Sequence, residues 1–425
     1  MNNMCSLRKS YALKMMKYSG DIGEEIVSNF FDANFSEILS FRDPKTKDNA
    51  QVSDIIIWLN RYVFLIEIKT LVSSKYSVND WARDRIIEGV IQLEKNYDKI
   101  KSNEEIFLNN KYYHVKLDCE GLSEIFGLII LVHDEECTIE PHNACESIYN
   151  SKLPIHVFLW EQVKKITSEI DTIPDFKYYL QDRIRFVKYS DIPLDKELDA
   201  IGLYKMGRNV FPNEVVNLSS SNYWQEYLNS MSEERARRDE HNKQSRWLDR
   251  FESIFTDTRK LFHRIPIGLH FTWVFAVLSR RERASIGIKF ETVQERFLAG
   301  NDTRTFSFKV PATAHWIIFY YSKHPPAEQH KILSKLVEQK LIQLIEDENF
   351  QYAVFGFGIQ ISTLWPPDII GLSNAMLIGA DTVVGKYSEQ DIIDAKRIWG
   401  HTKVGVIDEF PPNKNKAQGN SKRLL

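Results

Sequence analysis

Two carboxylates and a lysine, Asp54, Glu67 and Lys69, interrupt the otherwise apolar segment 52–69. Carboxylates that face each other across a sheet repel and destabilise it. A segment this apolar has little reason to keep such a pair unless something positive binds between the two groups. A divalent cation with a nearby lysine would stabilise both carboxylates. The residue types therefore predict a metal site with a lysine beside the ion.

A hairpin would bring these residues together. Two β-branched apolar runs lie on either side of Asn60 and Arg61, and Asn tolerates the left-handed backbone that a tight turn requires. A two-residue turn at this point places Asp54 directly opposite Glu67, and a four-residue loop gives the same register. Side chains alternate along a strand, so Lys69 shares the face of Glu67.

Helices are predicted on both sides of the hairpin. The first covers residues 21–33, where Glu24 shares a face with the apolar residues three and seven positions further on. The second covers residues 79–101 and carries Gln92 and Tyr97. Continuous apolar runs after it are typical of buried strands.

This order of elements resembles the PD-(D/E)xK nuclease superfamily, whose fold many restriction enzymes share. Asp54 is followed after a gap of twelve residues by the triplet Glu67-Ile68-Lys69. The Gly23-Glu24 start of the first helix is most similar to the nuclease-related and Mrr-like branches. The resemblance covers roughly residues 15–165. Ser53 stands where the superfamily name has proline, and Gln92 and Tyr97 are not in the spacing of the RecB-like pattern.

The resemblance implies an α/β fold with a restriction-endonuclease-like αβββαβ core sandwiched by helices. Mg²⁺ or Mn²⁺ would be held by Asp54, Glu67, the backbone carbonyl of Ile68 and Glu24. The ion would polarise a phosphate and activate water. Lys69 would orient that water or stabilise developing charge, and Gln92 would orient a ligand, a water or a phosphate.

A simpler interpretation of the same residues remains open. Asp54 and Glu67 can be ordinary charges at strand ends with Lys69 as their neutralising partner. Gln92 can be a solvated helical residue.

The chain is expected to hold two domains. Residues 1–212 form the predicted nuclease domain, and a Ser-rich break within 212–222 is the predicted linker. Residues 222–410 form a predicted α+β domain of unassigned regulatory, targeting or assembly function, with β structure expected over 279–311. The Lys-rich segment 411–425 is expected to be a disordered tail.

Composition indicates an ordinary globular protein. The formal net charge is −3, with 43% hydrophobic and 27% charged residues, so any basic surface must be local. Four cysteines in 425 residues do not make a disulfide framework, and a cytoplasmic location is expected. No apolar run is long enough for a membrane span, so no membrane partner is expected.

Other features of the sequence allow two interpretations each. Cys119, Cys137, His142 and Cys145 could form a zinc site, although scattered structural cysteines fit their spacing as well. Basic clusters at 235–238 and 280–283 could contact phosphates or could be solvated faces. Aromatic residues at 315–321 could stack on bases or could belong to a buried strand.

The predicted function is metal-dependent cleavage of nucleic acid, with DNA favoured over RNA. By analogy with the family, a role in bacterial restriction or anti-phage defence is expected, with a homo-oligomer or a defence-system protein as a further partner. No phosphate-binding glycine loop supports coupling to ATP. The alternative is a non-catalytic nucleic-acid-binding or scaffold protein that retains the nuclease fold.

Overall fold

The computed structural model describes most of residues 20–230 and 274–399, with the longest internal gaps at 134–140, 142–147 and 361–370, and only isolated positions in 231–273. The chain divides into two compact units, Met1–Glu233 and Glu234–Leu425, which are described separately. The predicted tail at 411–425 lies outside the described residues.

The first unit is built around a five-stranded mixed sheet. Its elements are, in chain order, α1 (Gly20–Phe31), β1 (Ser40–Arg42), β2 (Lys45–Thr46), β3 (Ile55–Leu59), β4 (Tyr62–Thr70), α2 (Val78–Lys101), β5 (Ile106–Asn109), β6 (His114–Lys116), β7 (Glu124–Val132) and β8 (Ile155–Leu159). The strand order is β1-β3-β4-β7-β8, antiparallel from β1 to β4 and parallel from β4 to β8. The parallel step from β4 to β7 is possible because α2 lies between them in the chain. Strands β2, β5 and β6 form a small separate sheet.

The β3–β4 hairpin has the predicted two-residue turn and register. Leu59 pairs with Tyr62 and Ile55 pairs with Ile66. Asn60 adopts φ +55°, the left-handed conformation that Asn tolerates better than most residues. Asp54 directly precedes Ile55, the first paired residue of β3. It therefore lies at the end of the hairpin that is farthest from the turn.

Two helices pack closely against this sheet at glycine positions. A Cβ atom on Gly23 of α1 would lie 2.0 Å from Thr70 Oγ1, and one on Gly89 of α2 would lie 2.8 Å from Ile129 Cδ1. Helix α2 begins after Ser77, whose side chain accepts a hydrogen bond from the Asp80 N–H. The close approach of both helices brings their polar residues to the end of β4.

Four more α-helices follow in the described part of the first unit: α3 (Trp160–Glu169), α4 (Ile173–Val187), α5 (Glu197–Met206) and α6 (Tyr223–Ser230). Helix α6 contacts both α5 and α3: the Trp224 N–H donates to Asp199 Oδ1 of α5 at 3.0 Å, and the buried Tyr227 donates to Glu169 Oε2 of α3 at 2.7 Å. The division between the units therefore falls after α6 and not within 212–222.

The second unit contains a four-stranded mixed sheet in the order β12-β11-β10-β9. Its described elements are α7 (Arg280–Gly300), β9 (Arg304–Lys309), β10 (Trp316–Ser322), α8 (Pro326–Glu348), β11 (Ala353–Gln360), β12 (Gly371–Gly379) and α9 (Glu389–Trp399). Strand β10 is buried along its whole length. Trp316 and Ile318 pack with α8, whereas Phe319 and Tyr321 contact Phe290 of α7.

The expectation of β structure over 279–311 is wrong for most of that segment, because residues 280–300 are helical. Ser279 and Glu282 form reciprocal bonds at the start of α7: Ser279 Oγ accepts from the Glu282 N–H, and Glu282 Oε2 accepts from the Ser279 N–H at 2.8 Å. This Ser-x-x-Glu capping box is a helix-start signal that outweighs the short alternation confined to β9.

Candidate functional site

A cleft of about 220 Å³ lies at the end of β4, between α1, α2 and the residues that lead into β3. It is lined by Glu24, Gln51, Val52, Ser53, Asp54, Glu67, Ile68, Lys69, Gln92, Lys95, Asn96 and Lys99. The five side chains predicted from the sequence and the Ile68 backbone therefore line one cleft.

Asp54 is held across the end of the hairpin. Its Oδ2 accepts a hydrogen bond of 2.6 Å from the Ile68 N–H, and its Oδ1 accepts one of 3.3 Å from Gln51 Nε2. Burial raises the pKa of Asp54, while the Ile68 hydrogen bond opposes the rise. The carboxylate is thus fixed beside the strand that carries Glu67.

Glu67 is 4% exposed and has three neighbours of different kinds. Its Oε1 accepts from Ser53 Oγ at 3.3 Å and from Asn96 Nδ2 at 3.4 Å, and its Oε2 lies 3.4 Å from Lys69 Nζ. Burial, followed by the negative charge of Asp54, raises the pKa of Glu67 to about 8. The two carboxylates therefore resist simultaneous ionisation.

Lys69 points into the same cleft with 11% of its side chain exposed. Its ammonium group contacts Glu67 on its own strand, and Gln92 and Glu88 on α2; the Glu88 Oε1 distance is 3.4 Å. Glu88 also pairs with Arg85. The Lys69 ammonium group is therefore the cation in contact with Glu67, and its charge also acts on Asp54.

Helix α2 contributes a stripe of polar residues to the cleft. Gln92, Lys95, Asn96 and Lys99 are spaced by three or four residues, so they lie on one helix face. The Gln92 amide accepts from Lys69 and the Asn96 amide donates to Glu67, so the two amides hold two residues that share one face of β4. Lys95, Asn96 and Lys99 were not predicted, although their spacing from Gln92 was a usable signal.

Ser53 was also not predicted as part of the site. Its hydroxyl is buried and lies within 2.8 Å of the Ile66 carbonyl and 3.3 Å of Glu67 Oε1. A serine in the position before Asp54 thus contacts the second carboxylate.

Glu24 lines the cleft from α1 and is half-buried, whereas its neighbour Glu25 is exposed. This agrees with the helix face predicted from the spacing of the apolar residues. Gly23 allows Glu24 to reach the cleft, because the absence of a side chain at Gly23 lets α1 lie close to the end of β4.

The donor atoms of the cleft are oxygens suited to a hard cation. Asp54, Glu67 and the Ile68 carbonyl are two carboxylates and a backbone group, with Glu24 nearby. Within the described ranges, no three His, Cys, Asp or Glu side chains converge closely enough to hold a metal ion by themselves. A metal in this cleft would therefore depend on the backbone carbonyl, on water or on a substrate oxygen.

The rival sites receive less structural support. Cys119 is half-buried and its thiol lies 3.7 Å from the Glu104 carbonyl, while the other three candidate zinc ligands lie outside the described residues. Arg283 is buried and donates to the Phe275 and Leu278 carbonyls, so it fills a structural role. The aromatic segment at 315–321 forms the buried strand β10.

Comparison of the chain with protein-family models, with curated proteins and with solved structures found no match. In the described part of the chain, no helix is long and apolar enough to cross a membrane.

Proposed function

We propose that the first unit is a restriction-endonuclease-like domain that hydrolyses phosphodiester bonds with a divalent metal ion, and that DNA is its favoured substrate. The observation that supports this most directly is the cleft at the end of β4. It combines Asp54, which directly precedes β3, with Glu67 and Lys69 of the adjacent strand β4, in the order and spacing of the PD-(D/E)xK motif.

The electrostatics of the cleft fit a cation. Two carboxylates with raised pKa values share one partly engaged ammonium group. A divalent cation held by Asp54, Glu67 and the Ile68 carbonyl, with Glu24 at its side, would relieve their repulsion. When bound, Mg²⁺ or Mn²⁺ would polarise the phosphate and lower the pKa of the attacking water.

The remaining groups have separable roles. Lys69 can place its ammonium group next to the attacked phosphate, where it stabilises developing negative charge. Gln92 holds the Lys69 ammonium from α2 and so fixes its direction. Asn96 and Ser53 hold one oxygen of Glu67, which leaves the other oxygen directed at Lys69.

A biological setting follows only from the resemblance. A metal-dependent DNA nuclease of the nuclease-related or Mrr-like type would act in bacterial restriction or anti-phage defence. The second unit would then sense, target or assemble.

A second candidate function is a protein that retains this fold without turnover and binds nucleic acid or a partner protein. The observation that favours it is the engagement of Lys69 by Glu67, Glu88 and Gln92. Such contacts would neutralise the cleft without a metal. The two functions differ in whether the cleft binds a divalent cation and cleaves.

The deciding experiment is a cleavage assay on duplex DNA, single-stranded DNA and RNA with Mg²⁺, with Mn²⁺ and with EDTA. Asp54→Asn and Glu67→Gln are compared with Asp84→Asn, which changes an exposed aspartate of α2 outside the cleft. We expect metal-dependent cleavage that each cleft variant lowers by at least about a hundredfold, as for loss of a main electrostatic group. Asp84→Asn should retain activity. Equal activity in all three variants would reject the site.

A further inference from the structure

The two lysines of the cleft, Lys95 and Lys99, are not explained by the proposed chemistry. Both lie on α2 in the polar stripe that includes Gln92 and Asn96. Neither forms an ion pair with a described residue. Lys99 instead donates to the backbone carbonyl of Gln51 at 3.1 Å. By contrast, Asp98 on the same helix is paired with Lys152 at 2.7 Å.

Charge within the cleft is unevenly distributed. The carboxylates of Asp54 and Glu67 lie at the sheet end, whereas Lys95 and Lys99 extend the lining along α2 toward solvent. The two lysines are one helical turn, about 6 Å, apart along the helix axis. Burial, followed by the positive charge of Lys95, lowers the pKa of Lys99. An anion bound between the two ammonium groups would relieve this repulsion.

On the basis of the nuclease function proposed above, we propose that Lys95 and Lys99 form a track for the phosphodiester backbone of a nucleic acid beside the cleft. The chain has a net charge of −3, so its attraction for a polyanion must come from such a local surface. If the attacked phosphate lies next to Lys69, as proposed above, then two ammonium groups spaced along α2 can contact the phosphates that follow it in the same strand. Contacts of this kind position a strand without reading its sequence.

The track makes a specific prediction about salt dependence. Each lysine that contacts a phosphate of duplex DNA releases about one counterion on binding, so the slope of log K against log salt changes by about one per contact. Lys95→Ala and Lys99→Ala should each reduce the magnitude of this negative slope by about one, and the double variant should reduce it by about two. Lys95→Arg should retain the wild-type slope, because the charge is kept.

Lys101→Ala is the matched control. Lys101 is on the same helix and exposed, but it does not line the cleft and instead packs over Tyr97. Its replacement removes the same charge from the protein, so it should leave the slope nearly unchanged. A cleavage assay should show a higher KM and a nearly unchanged kcat for the double variant, because these contacts are the same in ground and transition states.

The binding experiment uses the full chain and a labelled DNA duplex of about two helical turns, with anisotropy measured in EDTA and in Ca²⁺ over a series of salt concentrations. Equal slopes for the Lys95, Lys99 and Lys101 variants, or no binding in either buffer, would overturn the track. Normal cleavage with an unchanged KM in the double variant would overturn it while the nuclease function stands. Slope losses confined to Lys95 and Lys99 in a protein that cleaves nothing would support the track and reject the nuclease.

Discussion

At the scale of single residues, Glu67 carries an electrostatic cost that its surroundings only partly offset. It is almost fully buried, it faces the charge of Asp54, and its pKa rises from 4.5 to about 8. Lys69 and Ser53 favour the ionised form of Glu67, yet burial outweighs them. A residue kept in such a position at the expense of stability is typical of a functional site.

The raised pKa of Glu67 predicts how stability varies with pH. A carboxyl group with a higher pKa in the folded state stabilises the fold at low pH, and this stability is lost as pH rises through the folded-state pKa. Without divalent metal, the free energy of unfolding should fall between about pH 5 and about pH 8, by more than about 1.4 kcal/mol, the equivalent of one pKa unit. Urea denaturation measures it.

Glu67→Gln is the matched variant, since it keeps the shape of the side chain without its charge. Its stability should vary less over the same interval, and at about pH 8 it should exceed that of the wild type. Added Mg²⁺ should stabilise the wild type at the high-pH end by binding the folded state. Parallel pH curves for the two proteins would contradict the proposed origin of the shift.

Lys69 gives a second prediction at this scale. Lys69→Met should abolish cleavage while leaving the affinity for Mn²⁺ unchanged or higher, because the lysine acts on water and phosphate and its positive charge opposes the ion. Calorimetry with Mn²⁺ measures the affinity, and Lys101→Met is the control for loss of one charge. A collapse of metal affinity in Lys69→Met would show that the lysine is needed to build the metal site.

At the scale of elements, local signals predicted the part of the site that lies on the hairpin. The turn at Asn60 and the alternation along β4 fix which residues share a face, so Asp54, Glu67 and Lys69 could be grouped from the sequence. The helices are different, because their positions depend on packing against the sheet. Asn96 and Lys99 become part of the cleft only because Gly89 lets α2 lie close to β7.

The segment 280–300 is a case in which a local signal led to a wrong prediction. The alternation of apolar and polar residues predicts a strand, but it is confined to β9, and the capping signal at Ser279 and Glu282 indicates a helix for the residues before it. Periodicity over a few residues is a weaker guide than a helix cap followed by helix-forming residues.

Gly23 connects α1 to the site, which gives a prediction for an element. Ala favours a helix interior over Gly by about 1 kcal/mol, but the added Cβ would lie 2.0 Å from Thr70 Oγ1. Overpacking of this kind costs about 1–3 kcal/mol, so Gly23→Ala should destabilise the first unit or leave it unchanged. It should also lower cleavage, because α1 carries Glu24 into the cleft.

Thr70→Ala removes the closest atom and provides the control. In that background Gly23→Ala should be stabilising or much less destabilising, and a double-mutant cycle on urea denaturation measures the difference. Additive effects of the two substitutions would mean that α1 does not meet β4 at this point.

At the scale of the whole molecule, the first unit contains every described residue of the cleft. Its last described helix, α6, belongs to it through the buried Tyr227 and the Trp224–Asp199 hydrogen bond. A chain ending at Glu233 should therefore fold cooperatively. A chain ending at Ser219 should be less stable and should bind the dye ANS, because it lacks α6 and exposes the surface that α6 covers. A difference in thermal midpoint between the two fragments measures the contribution of α6, and equal midpoints would argue against it.

The fragment ending at Glu233 also tests what the second unit does. Among the described residues, the carboxylates, the lysine and the amides that line the proposed active site all belong to the first unit. A nuclease that can cut the DNA of its own cell must be restrained, so we predict that residues beyond 233 restrain or target it. The fragment should cleave DNA with a rate or a substrate preference that differs from that of the full chain, measured on the same set of substrates and metals. If it folds and cleaves with unchanged rate and preference, the second unit serves a different partner and control of the cleft must come from metal supply or from substrate access.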